Sequence, residues 1–181
     1  NWNWTGKLVS IATTTLMATA LLILGGFRAR DFGLTFAQAP GTGRAILFGI
    51  IPFLVLVGVL VWQMSPHGKW PDQATLAYQA TLPGIDEEFF FRGVMLAVFT
   101  SLFPEPEPVL GARMGYGALV ISIVFGIGHA VILDKALHLH FYVAEGIVAG
   151  VIGLVLVWIR ARTQSLVLPV PGTRRDQALE D

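Results

Sequence analysis

LVSIATTTLMATALLILGGF, residues 8–27, contains no charged side chain. Twenty such residues make a helix of about 30 Å, the thickness of a bilayer's hydrocarbon core. A second uncharged run, AILFGIIPFLVLVGVLVWQM, covers residues 45–64. Around these two runs the whole composition agrees: of 181 residues 54% are hydrophobic and 13% charged, about half the charged share of a soluble domain. The mean hydropathy is +0.67. Twelve Lys and Arg balance twelve Asp and Glu, so no cationic field exists to hold a nucleic-acid backbone. With no cysteine, disulfides, thiolate metal sites and cysteine nucleophiles are excluded.

The first run is too long for a signal peptide's apolar core, and Gly25-Gly26-Phe27 leads into charge instead of a small-residue cleavage site. It is expected to be retained. The chain starts at Asn1, not at Met, which leaves room for upstream spans. Three further spans are expected: Ile85–Phe103, ended by Pro104-Glu105-Pro106-Glu107-Pro108; Met114–Leu133; and Leu137–Ile159. Ala74–Leu82 is expected as an interfacial helix or the start of a broken span before Pro83-Gly84. The expected fold class is all-α, a polytopic transmembrane bundle of about five spans forming one domain over 1–181, with a polar tail at 161–181. The segments after the first, third and fifth spans carry Arg28, Arg30, Arg44, Arg113, Arg160, Arg162, Arg174 and Arg175, against Lys7, Lys69 and Lys135 on the other side. The positive-inside rule therefore puts the N-terminus outside and the tail inside a cell membrane. His67, in its Ser-Pro-His-Gly loop, carries no signal.

Asp86, Glu87, Glu88 and Arg92 stand at the head of the third span, where an ionised side chain costs several kcal/mol unless something uses it. In an α-helix Glu88 and Arg92, four apart, share a face and can pair. Glu87 lies about 140° round from Arg92, which leaves it as the acid without an in-helix partner and a candidate general base. On the fourth span Phe125 and His129 share a face, and Gly126 and Gly128 let a neighbouring helix come close. In this topology the start of span three and the end of span four meet at the same, outer end. A carboxylate and an imidazole facing each other can deprotonate a water and stabilise the oxyanion formed when it attacks a carbonyl.

Glu87-Glu88-Phe89-Phe90-Phe91-Arg92 and Phe125-Gly126-Ile127-Gly128-His129 resemble the E-E-x-x-x-R and F-x-x-x-H motifs of the CPBP (CAAX protease and bacteriocin-processing, or Abi) family of intramembrane proteases. Asp31-Phe32-Gly33-Leu34-Thr35 and Thr163-Gln164-Ser165-Leu166 resemble its flanking text, so the likeness covers about residues 28–170. The resemblance implies an endopeptidase with Glu87 as base, His129 as its partner, and Glu88, Arg92 and Phe125 in support. A divalent metal and a metal-free, glutamate-activated water are both compatible with it. The implied partners are the lipid bilayer and a peptide or protein substrate, with prenylated C-termini, leader peptides and sorting tails fitting equally; an outward-facing site favours peptide maturation or immunity. The family's third motif, H-x-x-x-N, falls here on Thr173 and Gln177, and Pro171-Gly172-Thr173-Arg174-Arg175-Asp176 cannot form a span.

His138 and Glu145, seven apart, are expected on one face of the fifth span as a substitute for that motif, with His140 pointing elsewhere. Glu145 is alternatively expected to pair with Arg92. A zinc set drawn from the histidines is disfavoured, because no H-E-x-x-H is present and residues two apart do not converge on a helix. The chain also lacks the G-x-S-G of a membrane serine protease and the G-x-G-D of a membrane aspartyl protease. Two other functions are compatible with the residues: a catalytically degenerate relative acting in bacteriocin self-immunity or binding a membrane partner, and a solute or proton transport component.

Overall fold

The structure, a computed structural model, describes residues 3–64, 72–103, 107–134 and 136–166. Helix α1 spans Trp4–Leu24. Asn3 starts it by accepting the Gly6 amide hydrogen at 3.0 Å, which satisfies one of the donors left free at a helix N-terminus. After a loop, α2 (Thr42–Ala45), a π-helical stretch (Ile46–Ile50) and α3 (Ile51–Met64) form one continuous rod. Among the described residues, three stretches are long and apolar enough to cross a membrane: Trp4–Leu24, Thr42–Val59 and Val143–Thr163. Their outward faces are apolar, as lipid contact requires: Leu16, Ile23, Phe48 and Leu54 are all exposed.

Between the second and last of these, α4 (Gln73–Ala80) begins at Asp72, whose carboxylate accepts from the Thr75 amide and hydroxyl. Pro83, in the first turn of α5 (Leu82–Glu87), fits where no amide donor is needed. A second π-helical segment, Glu88–Met95, then carries the chain into α6 (Leu96–Leu102). The expected span over 85–103 is thus one rod whose middle is wider than an α-helix. A hairpin of β1 (Glu107–Val109) and β2 (Ala112–Met114) leads to α7 (Tyr116–Ala130). A second hairpin, β3 (Val131–Leu133) and β4 (Leu139–Phe141), precedes α8 (Val143–Thr163).

Two expected spans are corrected here. The fourth was expected to run to Leu133, but α7 stops at Ala130 and the chain turns into β3. The fifth was expected from Leu137, but α8 starts at Val143. The run from Val131 to Phe141 alternates apolar residues with Asp134, His138 and His140, and Asp134 draws it into a turn by accepting the Ala136 and His138 amides.

Helices α7 and α8 form the most extensive helix pair. A side chain on Gly126 would reach within 2.6 Å of the Gly146 carbonyl oxygen, so only glycine permits the approach. Leu96, Ala118, Ile121 and Val157 form a core joining α6, α7 and α8, while Ala18, Phe32, Val94 and Ala97 join α1 and the loop after it to the second π-helical segment and α6. The two flanking motifs meet: Leu166 donates its amide hydrogen to the Gly33 carbonyl at 3.0 Å, and the Ser165 hydroxyl donates to the Thr35 carbonyl at 2.6 Å. Gly33 has φ +75° and lies against the Arg160 guanidinium, leaving no space for a side chain.

Candidate active site

Glu87 is the last residue of α5 and His129 the last but one of α7. The rods run antiparallel, so both residues come to the same end of the bundle, and both line one cavity of about 260 Å³ with Phe90, Phe91 and Phe125. The meeting of span three's start with span four's end is found as expected.

The remaining polar side chains of the cavity come from α1 and α5, and Gly128 of α7 completes the lining. Lys7 Nζ lies 3.0 Å from Asp86 Oδ2 and 3.2 Å from Glu87 Oε1. The Ser10 hydroxyl donates to Asp86 Oδ1 at 2.6 Å. Glu87 was expected to lack a partner within its own helix; its ionic partner comes from across the bundle, in Lys7 of α1. Sequence reasoning used Lys7 only to orient the chain. In the sequence Lys7 stands just before the uncharged run, and only the start of α1 at Trp4 brings it into the span, where such a charge needs a partner; Ser10 gave no signal.

The expected Glu88–Arg92 pair is present, with Arg92 Nη1 3.3 Å from Glu88 Oε1. Arg92 is only 1% exposed, and its guanidinium carbon stacks 4.2 Å from the Phe125 ring centre. Phe125 also meets the His129 ring, with centroids 4.4 Å apart. Phe125 therefore connects the ion pair to the imidazole. His129 Nδ1 lies 2.9 Å from the Phe125 carbonyl oxygen. A carbonyl only accepts, so Nδ1 carries a proton, and in the neutral tautomer with this contact the lone pair lies on Nε2.

His138 and Glu145 do not form the expected face. His138 precedes β4, outside any helix, and its Nδ1 lies 3.5 Å from Asp134 Oδ2; His140 Nε2 lies 2.9 Å from the same oxygen. The His140 contact, with the His138 and Ala136 amides, holds the Asp134 carboxyl below the usual aspartate value. Glu145 is exposed in the first turn of α8 and has no ion pair among the described residues, so the expected Arg92–Glu145 pair is replaced by Arg92–Glu88. Thr173 and Gln177, with His67, Lys69, Lys135, Arg174 and Arg175, lie outside the described residues.

Among the described residues no group of three His, Asp or Glu side chains could hold a metal ion. Glu87 and His129 give two of the three protein ligands usual in a catalytic zinc site, and the Lys7 ammonium already faces the carboxylate. The donor set does not fit a metal.

Neither the curated proteins nor the solved structures contain a match to the chain. Residues 69–171, more than half of it and including Asp86 through His129, match the family described as type II CAAX prenyl endopeptidase Rce1-like. A carboxylate and an imidazole at one end of a helical membrane bundle and this match lead to one conclusion: the chain belongs to the Rce1-like family of type II CAAX prenyl endopeptidases.

Proposed function

We propose that the protein is an intramembrane endopeptidase in which Glu87 activates a water and His129 orients it. The observation that carries this is the shared cavity of about 260 Å³ lined by both side chains. A water between them donates one hydrogen bond to a Glu87 oxygen and the other to His129 Nε2, which leaves an oxygen lone pair for the substrate carbonyl. As the O–C bond forms, Glu87 takes the water's proton; as the C–N bond breaks, Glu87 delivers that proton to the leaving amine. The oxyanion formed between these steps needs a donor. Lys7 has three N–H groups and spends two on Asp86 and Glu87, so the third takes the role that His and Asn of the family's third motif would have. Phe90, Phe91 and Phe125 give the cavity apolar walls, which suits a peptide bond beside an apolar residue at the membrane surface, in a membrane-anchored peptide or protein tail.

The test is cleavage of a pool of membrane-anchored peptides by the full chain in proteoliposomes, read by mass spectrometry. Glu87→Gln is expected to lower turnover by about 10²–10⁴-fold, the usual contribution of a general base. Cleavage by Glu87→Gln at the unmodified rate would overturn the mechanism. A second reading, a peptide-binding relative without turnover, rests on Thr173 and Gln177 standing where the family has His and Asn; it expects no cleavage and peptide retention indifferent to Glu87→Gln.

A further inference from the structure

A second cavity, of about 660 Å³, lies at the other end of the bundle, where α6 ends, α7 begins and α8 ends. It shares no residue with the Glu87–His129 cavity. Arg30, Arg113 and Arg160 line it against a single acid, Asp31, a surplus of two positive charges. Asp31 offsets only one of them: its carboxylate accepts the Arg28 amide hydrogen and attracts Arg160 through space, while Arg160 Nη2 donates to the Asp31 carbonyl at 3.0 Å. Arg30 and Arg113 form no ion pair among the described residues. Arg160 is only 8% exposed, and its Nε has no hydrogen-bond partner there.

Three guanidiniums around one cavity match an oxyanion with several acceptor oxygens, and phosphate is the group whose geometry guanidinium forks fit best. The rest of the lining argues against a small free ion. Phe27, Leu96, Met114 and Val157 supply apolar wall, and the volume is that of an organic ligand's site. The position is at headgroup depth, since the span ends converge there. We propose that this cavity binds the phosphate headgroup of an anionic phospholipid, with Arg30, Arg113 and Arg160 on the phosphate and the start of an acyl chain along the apolar wall. The site is independent of peptide cleavage and does not depend on Glu87.

The experiment is native mass spectrometry of the full chain, delipidated in detergent and titrated with phosphatidylglycerol, phosphatidylcholine or inorganic phosphate. Arg30 and Arg113 are exposed, so the Arg30→Gln/Arg113→Gln variant tests the charge without disturbing Arg160 and its contact to the loop. The unmodified chain is expected to retain one phosphatidylglycerol in preference to phosphatidylcholine, and the double variant to bind it more weakly by roughly fivefold for each arginine removed. Equal retention of the two lipids, or undiminished phosphatidylglycerol binding by the double variant, would overturn the proposal. Displacement of the lipid by inorganic phosphate at equal concentration would assign the site to a free anion and overturn it as well.

Discussion

Arg92 shows how a single charge is accommodated inside the bundle. It is sealed from solvent, has one ionic partner in Glu88 and rests on the Phe125 ring. Removing the negative charge with Glu88→Gln leaves a buried cation without its ion-pair partner, held by the Phe125 and Phe91 rings. We expect a loss of about 2 kcal/mol, below the roughly 3–5 of a fully buried pair because Glu88 is partly open to solvent. Unfolding of the purified variant in detergent checks it, and Glu88→Gln/Arg92→Met is expected to recover part of the loss by removing the stranded charge. This pair was legible in the sequence because it is local, four residues apart on one rod. Lys7 was not: it meets Asp86 and Glu87 from 79 and 80 residues away, and no spacing rule connects α1 to α5. His138 was misassigned for a related reason, since its helical face with Glu145 existed only if the helix began six residues earlier than it does.

Among the elements, the α7–α8 pair depends on missing side chains. A Cβ at Gly126 would meet backbone, the Gly146 carbonyl oxygen at 2.6 Å, whereas one at Gly150 would find its nearest neighbour at 3.5 Å. Gly126→Ala is therefore expected to force the helices apart and destabilise by about 1–3 kcal/mol. Gly150→Ala, with room for the methyl and a better helix former, should be neutral or stabilising. Thermal unfolding of the two variants side by side separates steric from propensity effects.

The β3–β4 hairpin depends instead on one carboxylate. The Asp134 carboxyl is held below its usual value by the His140 contact and the backbone amides of His138 and Ala136. A depressed folded value means that the stabilisation is complete above the unfolded aspartate value, about 3.9, and fades as pH falls through the folded one. Amide exchange at Ala136 and His138 is expected to accelerate in that acid window and to be fast at neutral pH in Asp134→Ala. The hairpin escaped sequence reasoning because its alternation was embedded in apolar text that also fits a helix. The π-helical segment over Glu88–Met95 was equally hidden, since no composition distinguishes it from α-helix, and such widened turns concentrate at functional sites.

At the scale of the whole molecule, chemistry separates to opposite ends. Glu87, His129 and Lys7 gather at one end of the bundle and Arg30, Arg113 and Arg160 at the other. Hydropathy and the order of charged loops made this division legible, because antiparallel rods force span three's start beside span four's end. The chain has no cysteine, so Glu87→Cys/His129→Cys in native membranes is expected to crosslink readily with a short bifunctional reagent, while Glu87→Cys paired with Arg113→Cys is not. Mass spectrometry of the digested product reads either outcome.

The short α7 has one further consequence. Its 15 residues measure about 22 Å, against roughly 30 Å of hydrocarbon. A bilayer must thin beside α7 or leave the end bearing His129 beneath its surface, and either adjustment has an elastic cost that grows with each ångström of mismatch. In the proposed mechanism acyl-chain length is therefore expected to set how much water reaches the imidazole, and turnover in proteoliposomes of graded chain length reads this control by the host membrane.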